Sequence, residues 1–330
     1  AIADLQEAAK GLPAAGAEAA SAMVAILEDR SGQGCAALEA AVAADPYLEE
    51  AYTLLGGDAM SRRKWESAAG WFARGHEADR GCLGHLLGLS RAEMSWAHGL
   101  GQEEDAWRAP LGRAEAAIEE ATRLAPGSVD AWTLRASVAS LRVELLRARE
   151  LDRSAASAAL REAAESALAI DATSTIATTA IACIEQDAAH EQIHRGVDPS
   201  DGLARARRLF ERACDLAPGD PLLLCNLASG DRTLCEWIQA RGGDPGEAYG
   251  RAISIYDEAI RVSPRLYEAA YELGETHSAY GVWLESMGRD PTLHYGKARE
   301  ALDRALDIRP DHVPTLQSMV GVLWLIGRRE

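Results

Sequence analysis

The sequence predicts an all-α protein, a solenoid of antiparallel helix hairpins, and three observations carry that prediction. Pro126, Pro218, Pro264 and Pro310 lie at multiples of 46 residues, and a fixed period of that size is the mark of stacked supersecondary units. Asp198-Pro199, Asp244-Pro245 and Asp290-Pro291 repeat at the same 46-residue spacing, as do Trp237 and Trp283, Tyr249 and Tyr295, and Gly250 and Gly296. Hydrophobic residues make up 48% of the 330-residue chain but aromatics only 5%. Alanine and leucine therefore supply the apolar surface, and alanine has the best helix propensity.

The same register divides the whole chain. Arg80 and Ala172 occupy the two positions between the prolines, and Pro46 precedes Arg80 by 34 residues. The hairpins expected are 1–46, 47–80, 81–126, 127–172, 173–218, 219–264 and 265–310, followed by a terminal helix 311–330, all in one domain spanning 1–330. The unit 265–310 shows the physics. A first helix is expected from about Leu266 to Met287, where Gly288 suits a left-handed C-terminal cap. Asp290 offers an N-cap oxygen, and Pro291 fits a first turn that needs no N–H. The second helix then runs to about Ile308, and Pro310 stops it. In 311–330, Leu316, Met319, Val320 and Leu323 follow helical spacing and read as the packing face of a lone first helix, with Trp324 and Ile326 incompletely buried. Trp237 and Trp283 read as core between repeats.

Within the units a family pattern emerges. Hairpin 47–80 carries Tyr52, Leu55-Gly56, Ala68 and Phe72; 173–218 carries Ala206, Phe210, Ala213 and Pro218; 219–264 carries Ala252, Tyr256, Ala259 and Pro264; 265–310 carries Leu273-Gly274, Ala298, Leu302, Ala305 and Pro310. This resembles the tetratricopeptide repeat over nearly the whole chain, in an elongated form, since the usual repeat is about 34 residues. Hairpin 127–172 departs from the pattern, with Arg135-Ala136 in place of Leu-Gly and no closing proline. The resemblance implies a tetratricopeptide-like right-handed superhelical solenoid that binds proteins rather than catalysing a reaction. The Gly288-Arg-Asp-Pro291 turn followed by a Tyr-x-x-Ala helix is also similar to the C-terminal arms of some bacterial Ser/Thr protein kinases. No kinase motif occurs in the chain; that resemblance implies a regulatory or substrate-recruiting arm of a larger signalling protein.

Charge and cysteine usage narrow the function. The formal charge of −17 repels nucleic acid and anionic membrane and favours a basic protein or peptide. Three lysines (Lys10, Lys64, Lys297) and one asparagine (Asn226) among 34 cations and 330 residues point to a GC-rich bacterial genome. The six cysteines, Cys35, Cys82, Cys183, Cys214, Cys225 and Cys235, form no C-x-x-C pair, which leaves zinc-ribbon and thioredoxin chemistry unsupported and fits a reducing cytoplasm. No signal peptide and no membrane-spanning apolar run is visible.

One string carries enzymatic chemistry. His190-Glu191-Gln192-Ile193-His194 reads H-E-x-x-H, in which two histidines one turn apart can hold zinc while the glutamate acts as general base. Glu211 is a conceivable third ligand. The string falls inside the first helix of a repeat, however, and its positions one repeat later are Glu236, Trp237 and Ala240. No enzyme activity, cofactor or catalytic metal is therefore expected.

The binding surface follows from the resemblance, which places the first helix of each hairpin on the concave face. Positions one, five and eight residues beyond the aromatic position then line it: Thr53, Gly57 and Met60; Thr133, Ser137 and Ser140; Thr179, Cys183 and Gln186; Cys225, Ser229 and Arg232; Tyr271, Glu275 and Ser278. This lining is small, hydroxylated and weakly charged. It lacks the Lys and Asn cluster that clamps a C-terminal carboxylate, and suits an extended peptide or a partner helix.

Overall fold

Fourteen α-helices form in the computed structural model, which describes residues 31–101 and 103–328. The chain falls into two compact units divided between Ser174 and Thr175. The first contains α1 (Ser31–Ala44), α2 (Glu49–Ser61), α3 (Trp65–Ala78), α4 (Leu83–Gly99), α5 (Arg108–Leu124), α6 (Val129–Arg147) and α7 (Ser154–Ile170). The second contains α8 (Thr175–His194), α9 (Ser200–Leu216), α10 (Pro221–Ala240), α11 (Gly246–Val262), α12 (Tyr267–Ser286), α13 (Thr292–Ile308) and α14 (Val313–Gly327). From α2 onward each first helix packs on the second helix that follows it, and successive first helices also touch within a unit. The first part of hairpin 1–46 lies outside the described residues.

Turn chemistry sets the hairpins. Gly196, Gly242 and Gly288, 46 residues apart, have φ of +70°, +72° and +69°, a left-handed conformation open to glycine at little cost. Two residues on, Asp198, Asp244 and Asp290 each accept a backbone hydrogen bond through Oδ1, from Ser200, Gly246 and Thr292 at 2.9, 2.9 and 3.0 Å. The acid thus sits one residue upstream of the cap, and the intervening proline (Pro199, Pro245, Pro291) is itself the cap residue. The Gly-Arg-Asp-Pro turn at 288–291 is one instance of this repeated device.

Small residues let helices approach, and one aromatic fills the gap. A Cβ at Gly56 on α2 would lie 2.6 Å from Cζ of Phe72, and one at Gly88 on α4 would lie 2.5 Å from Cδ1 of the same ring. Phe72 on α3 is therefore held between two glycines on successive first helices. Phe210, Tyr256 and Leu302 are buried at the corresponding positions of later second helices.

A polar pairing runs through the same interior. Glu93 on α4 is 3% exposed and accepts two bonds from Arg113 on α5, at 2.6 and 2.9 Å. At the same register positions Glu185 on α8 accepts from Arg205 on α9 at 2.9 Å, and Asp231 on α10 accepts from Arg251 on α11 at 3.1 and 3.0 Å. Acid on the first helix and arginine 20 residues later on the second stitch these three hairpins. Ala139 and Ala159 replace the pair in α6 and α7.

In the last hairpin the stitch becomes His277 and Lys297. His277 is 7% exposed, and its Nδ1 lies 3.0 Å from Nδ1 of His294. Burial, followed by the neighbouring His294 and Lys297 and opposed by Glu300, pushes its pKa down to about 4; burial also lowers that of His294. Because the unfolded imidazole protonates near 6.5, unfolding takes up a proton between those two values. The stability contributed by neutral His277 is full above pH 6.5 and is lost as pH falls towards 4, with a ceiling of about 3 kcal/mol. Urea midpoints of the original chain should therefore fall relative to His277→Asn across this window. Parallel curves would show that this site does not carry the pH dependence.

The terminal helix α14 buries a different face from the one its spacing suggests. Thr315, Met319 and Val322 are buried, whereas Leu316, Val320 and Leu323 are exposed, together with Trp324 at 63%. The register mates of Leu316, Val320 and Leu323 on α12 are Ala270, Gly274 and His277, which lie buried in a hairpin with its second helix in place. Trp237 and Trp283 likewise are half-buried rather than core, lying beneath the guanidinium groups of Arg241 and Arg289 at 5.2 and 5.5 Å.

Candidate functional site

The first helices carry the expected lining residues in varied environments. On α2, Thr53 and Gly57 are exposed, and Met60 packs against the cluster around Phe72. On α6, Thr133 Oγ1 donates to the Val129 carbonyl at 2.9 Å and Ser137 Oγ to the Thr133 carbonyl at 3.0 Å. Those hydroxyl protons are used within their own helix, so the two side chains offer a partner only acceptor lone pairs. Ser140 is exposed.

In the second unit the lining is linked across helices. Gln186 on α8 donates through Nε2 to Ser229 Oγ on α10 at 3.0 Å. Arg232, one turn further along α10, pairs with Glu272 on α12 at 3.2 Å. Tyr271 stacks on Tyr267 with ring centroids 5.9 Å apart, while Glu275 and Ser278 are half-buried beyond it. Cys183 and Thr179 are half-buried on α8; Cys225 is 8% exposed and belongs to the core rather than the surface.

Three polar atoms near this track are buried without a hydrogen-bond partner: Thr179 Oγ1, Tyr256 Oη and Glu272 Oε2. For Glu272 the Arg232 pairing is electrostatic, not an aligned hydrogen bond. Burial raises the Glu272 pKa, Arg232 opposes that shift and Glu275 adds to it. Burial likewise raises that of Tyr256, with Glu272 the next cause. Sequence reading missed Glu272, whose only signal is its place three residues before Glu275 on the same helix.

The H-E-x-x-H residues sit at the exposed end of α8. His190 Nε2 and His194 Nε2 are 3.0 Å apart, and His190 Nδ1 lies 3.8 Å from Glu236 on α10. Glu191 is engaged by Arg195 at 2.5 Å, and Glu211 by Arg207 at 2.8 Å. The conceivable third ligand is thus turned to an arginine, and no group of three metal-ligating side chains occurs among the described residues. No disulfide joins the cysteines among the described residues, and burial first of all pushes Cys35 up to about 11 and Cys225 and Cys235 up to about 12. Such thiols stay protonated and are poor nucleophiles at neutral pH. No helix among the described residues is long and apolar enough to cross a membrane.

No family model and no curated protein matches the chain. Among solved structures, a tetratricopeptide repeat protein from Parabacteroides merdae matches with a TM-score of 0.62 at 10% identity, covering 94% of this chain and 98% of that one. The APC/C hetero-tetramer Cut9-Hcn1 matches with a TM-score of 0.59 at 13% identity, covering 87% of this chain; the chain spans 45% of the length of the one it matches there. At such identities the likeness is one of fold. The architecture is that of a tetratricopeptide repeat, all-α and built of stacked helix pairs.

Proposed function

We propose that this tetratricopeptide array is a non-catalytic interaction scaffold that holds an extended peptide or a partner helix along its first-helix face. The observation that carries the reading is the polar track of the second unit, Gln186–Ser229 and Arg232–Glu272, which links three successive first helices. Gln186, Ser229, Arg232 and Tyr271 are half-buried and present polar atoms that a bound peptide can hydrogen-bond. Glu272 and Glu275 on one helix, in a chain of net charge −17, favour a partner that brings positive charge. Thr179 lies on α8 beside this track, and in the first unit Thr53, Met60, Thr133, Ser137 and Ser140 occupy the same register on the first helices. The lack of a disulfide among the described residues fits a reducing cytoplasm. A free-standing adaptor and a recruiting arm of a larger signalling protein would use the face alike.

The test is selection of peptides from a displayed library on the whole chain, followed by affinity measurement with substituted chains. Arg232→Ala should weaken peptides seated on the second unit at least tenfold, since truncating a central charged anchor typically costs about 2 kcal/mol or more. Thr133→Ala with Ser137→Ala should weaken those seated on the first. Selected peptides that bind all three variants as well as the original would sink the first-helix assignment.

A further inference from the structure

A cleft of about 590 Å³ opens on the other side of the first unit, between the second helices α3 and α5, with α4 as its floor. Glu66, Ala69, Ala73, Glu93, Trp96 and Ala117 are among its walls. The repeat itself shows what such a place accommodates. Three 46-residue registers later, in the second unit, Arg207 stands where Ala69 stands, Glu211 where Ala73 stands, and Ile255 where Ala117 stands. The alignment is anchored by Phe72 with Phe210, by Glu93 with Asp231 and by Arg113 with Arg251. The cleft is thus the space of three side chains cut back to alanine.

The most telling of the three is the arginine. Asp231 is clasped from both sides, by Arg251 of its own hairpin at 3.0 Å and by Arg207 of the preceding one at 2.6 Å. Its counterpart Glu93 is equally buried but, among the described residues, is clasped from one side only, by Arg113. On the other side, where the second guanidinium would lie, stand Ala69 and open cleft. Each carboxylate oxygen can accept two hydrogen bonds, so Glu93 retains unused acceptor capacity. Glu66, at the mouth, has no ion-pair partner among the described residues and adds a second negative charge. The half-buried face of Trp96 already supports the Arg113 guanidinium at 5.3 Å, and a planar cation laid beside it would share that support.

We infer that this second-helix cleft is a docking site for an arginine side chain of a partner protein, which completes from outside the two-arginine clasp that Arg207 completes internally in the second unit. The partner's arginine carries an aliphatic neighbour, which covers the alanine walls and takes the place that Ile255 holds in the filled groove. Arginine is preferred to lysine, because a planar fork can reach Glu93 and Glu66 together. The inference concerns a different face from the peptide track proposed above and does not rest on it.

The probe is the peptide acetyl-Leu-Ala-Arg-Ala-Leu-amide, with lysine and citrulline versions as controls, and the readout is the indole N–H resonance of Trp96 in the full chain. The arginine peptide should shift that resonance saturably. The citrulline version, of the same shape but uncharged, should bind at least tenfold more weakly, with lysine between. Ala69→Arg should fill the site from within and abolish the shift while leaving helicity and melting temperature unchanged or raised. Should that variant fail to fold, the exposed Glu66→Gln carries the test, and severalfold weaker binding is expected. Equal binding by the citrulline peptide, equal binding to the folded Ala69→Arg chain or to Glu66→Gln, or no Trp96 shift at millimolar peptide would each overturn the inference. Arg232→Ala should change none of these readings, so failure here and failure of the first-helix reading are separable.

Discussion

Replacing Trp107 by alanine should destabilise the first unit by about 3–5 kcal/mol, the range for emptying a fully enclosed large aromatic site. Trp107 is 0% exposed although it lies in the connection between α4 and α5. It packs into the cluster built from Leu86, Leu111, Leu141 and Leu145. The guanidinium groups of Arg108, Arg149 and Arg142 lie 4.8, 5.3 and 5.9 Å from its ring centroid. Arg149 also donates to the carbonyls of Gly101, Glu103 and Glu104. The indole is thus the peg around which the long α4–α5 connection and the end of α6 are gathered. Removing it leaves a cavity and frees the arginines to turn to water. Stability in a repeat array is carried by nearest neighbours, so the loss should appear first in α4, α5 and α6. Hydrogen exchange resolved by segment is the measurement. A loss below about 1 kcal/mol, or faster exchange confined to the second unit, would show that the connection is held by something else.

The second large effect is expected at Asp231→Ala, a loss of about 2–3 kcal/mol in the second unit. Breaking a buried ion pair costs about 3–5 kcal/mol when the remaining charge stays buried. Asp231 is buried, its side chain 2% exposed, but Arg207 and Arg251 are each 36% exposed and can rehydrate, which places the loss at or below the lower end of that range. Asp231→Asn keeps the volume and should cost less. Removing both arginines from the Asp231→Ala chain should recover part of the loss, because no cation is then left without its carboxylate. Urea unfolding followed by helical signal supplies the comparison. An Asp231→Ala chain as stable as the original would mean that the clasp is no more than a solvated surface pair.

Much of this architecture was legible in the sequence. The 46-residue register located the hairpin turns, because the same short string must solve the same backbone problem each time. Glycine takes a positive φ, aspartate caps an N–H and proline starts a helix without one. The acid–arginine stitch was legible too and passed unread: Glu185 to Asp231 and Arg205 to Arg251 keep the 46-residue spacing, yet solvated surface pairs look the same in a string of letters.

By itself the sequence determined where the chain turns, which segments become helices and which of those pair, since these depend on residues within a few positions of one another. Tertiary structure decided which side of each helix is covered. Leu316 and Val320 have helical spacing but lie exposed on α14, while His277, a lone polar residue in sequence, lies buried against His294. Trp237 and Trp283 recur like core residues but lie half-buried under arginines. The alanines at 69, 73 and 117 are unremarkable helix formers until three helices place them around one space beside Glu93. The reason is physical: backbone conformation answers to local chemistry, whereas burial depends on the side chains that neighbouring helices bring, and a repeat period does not record their size.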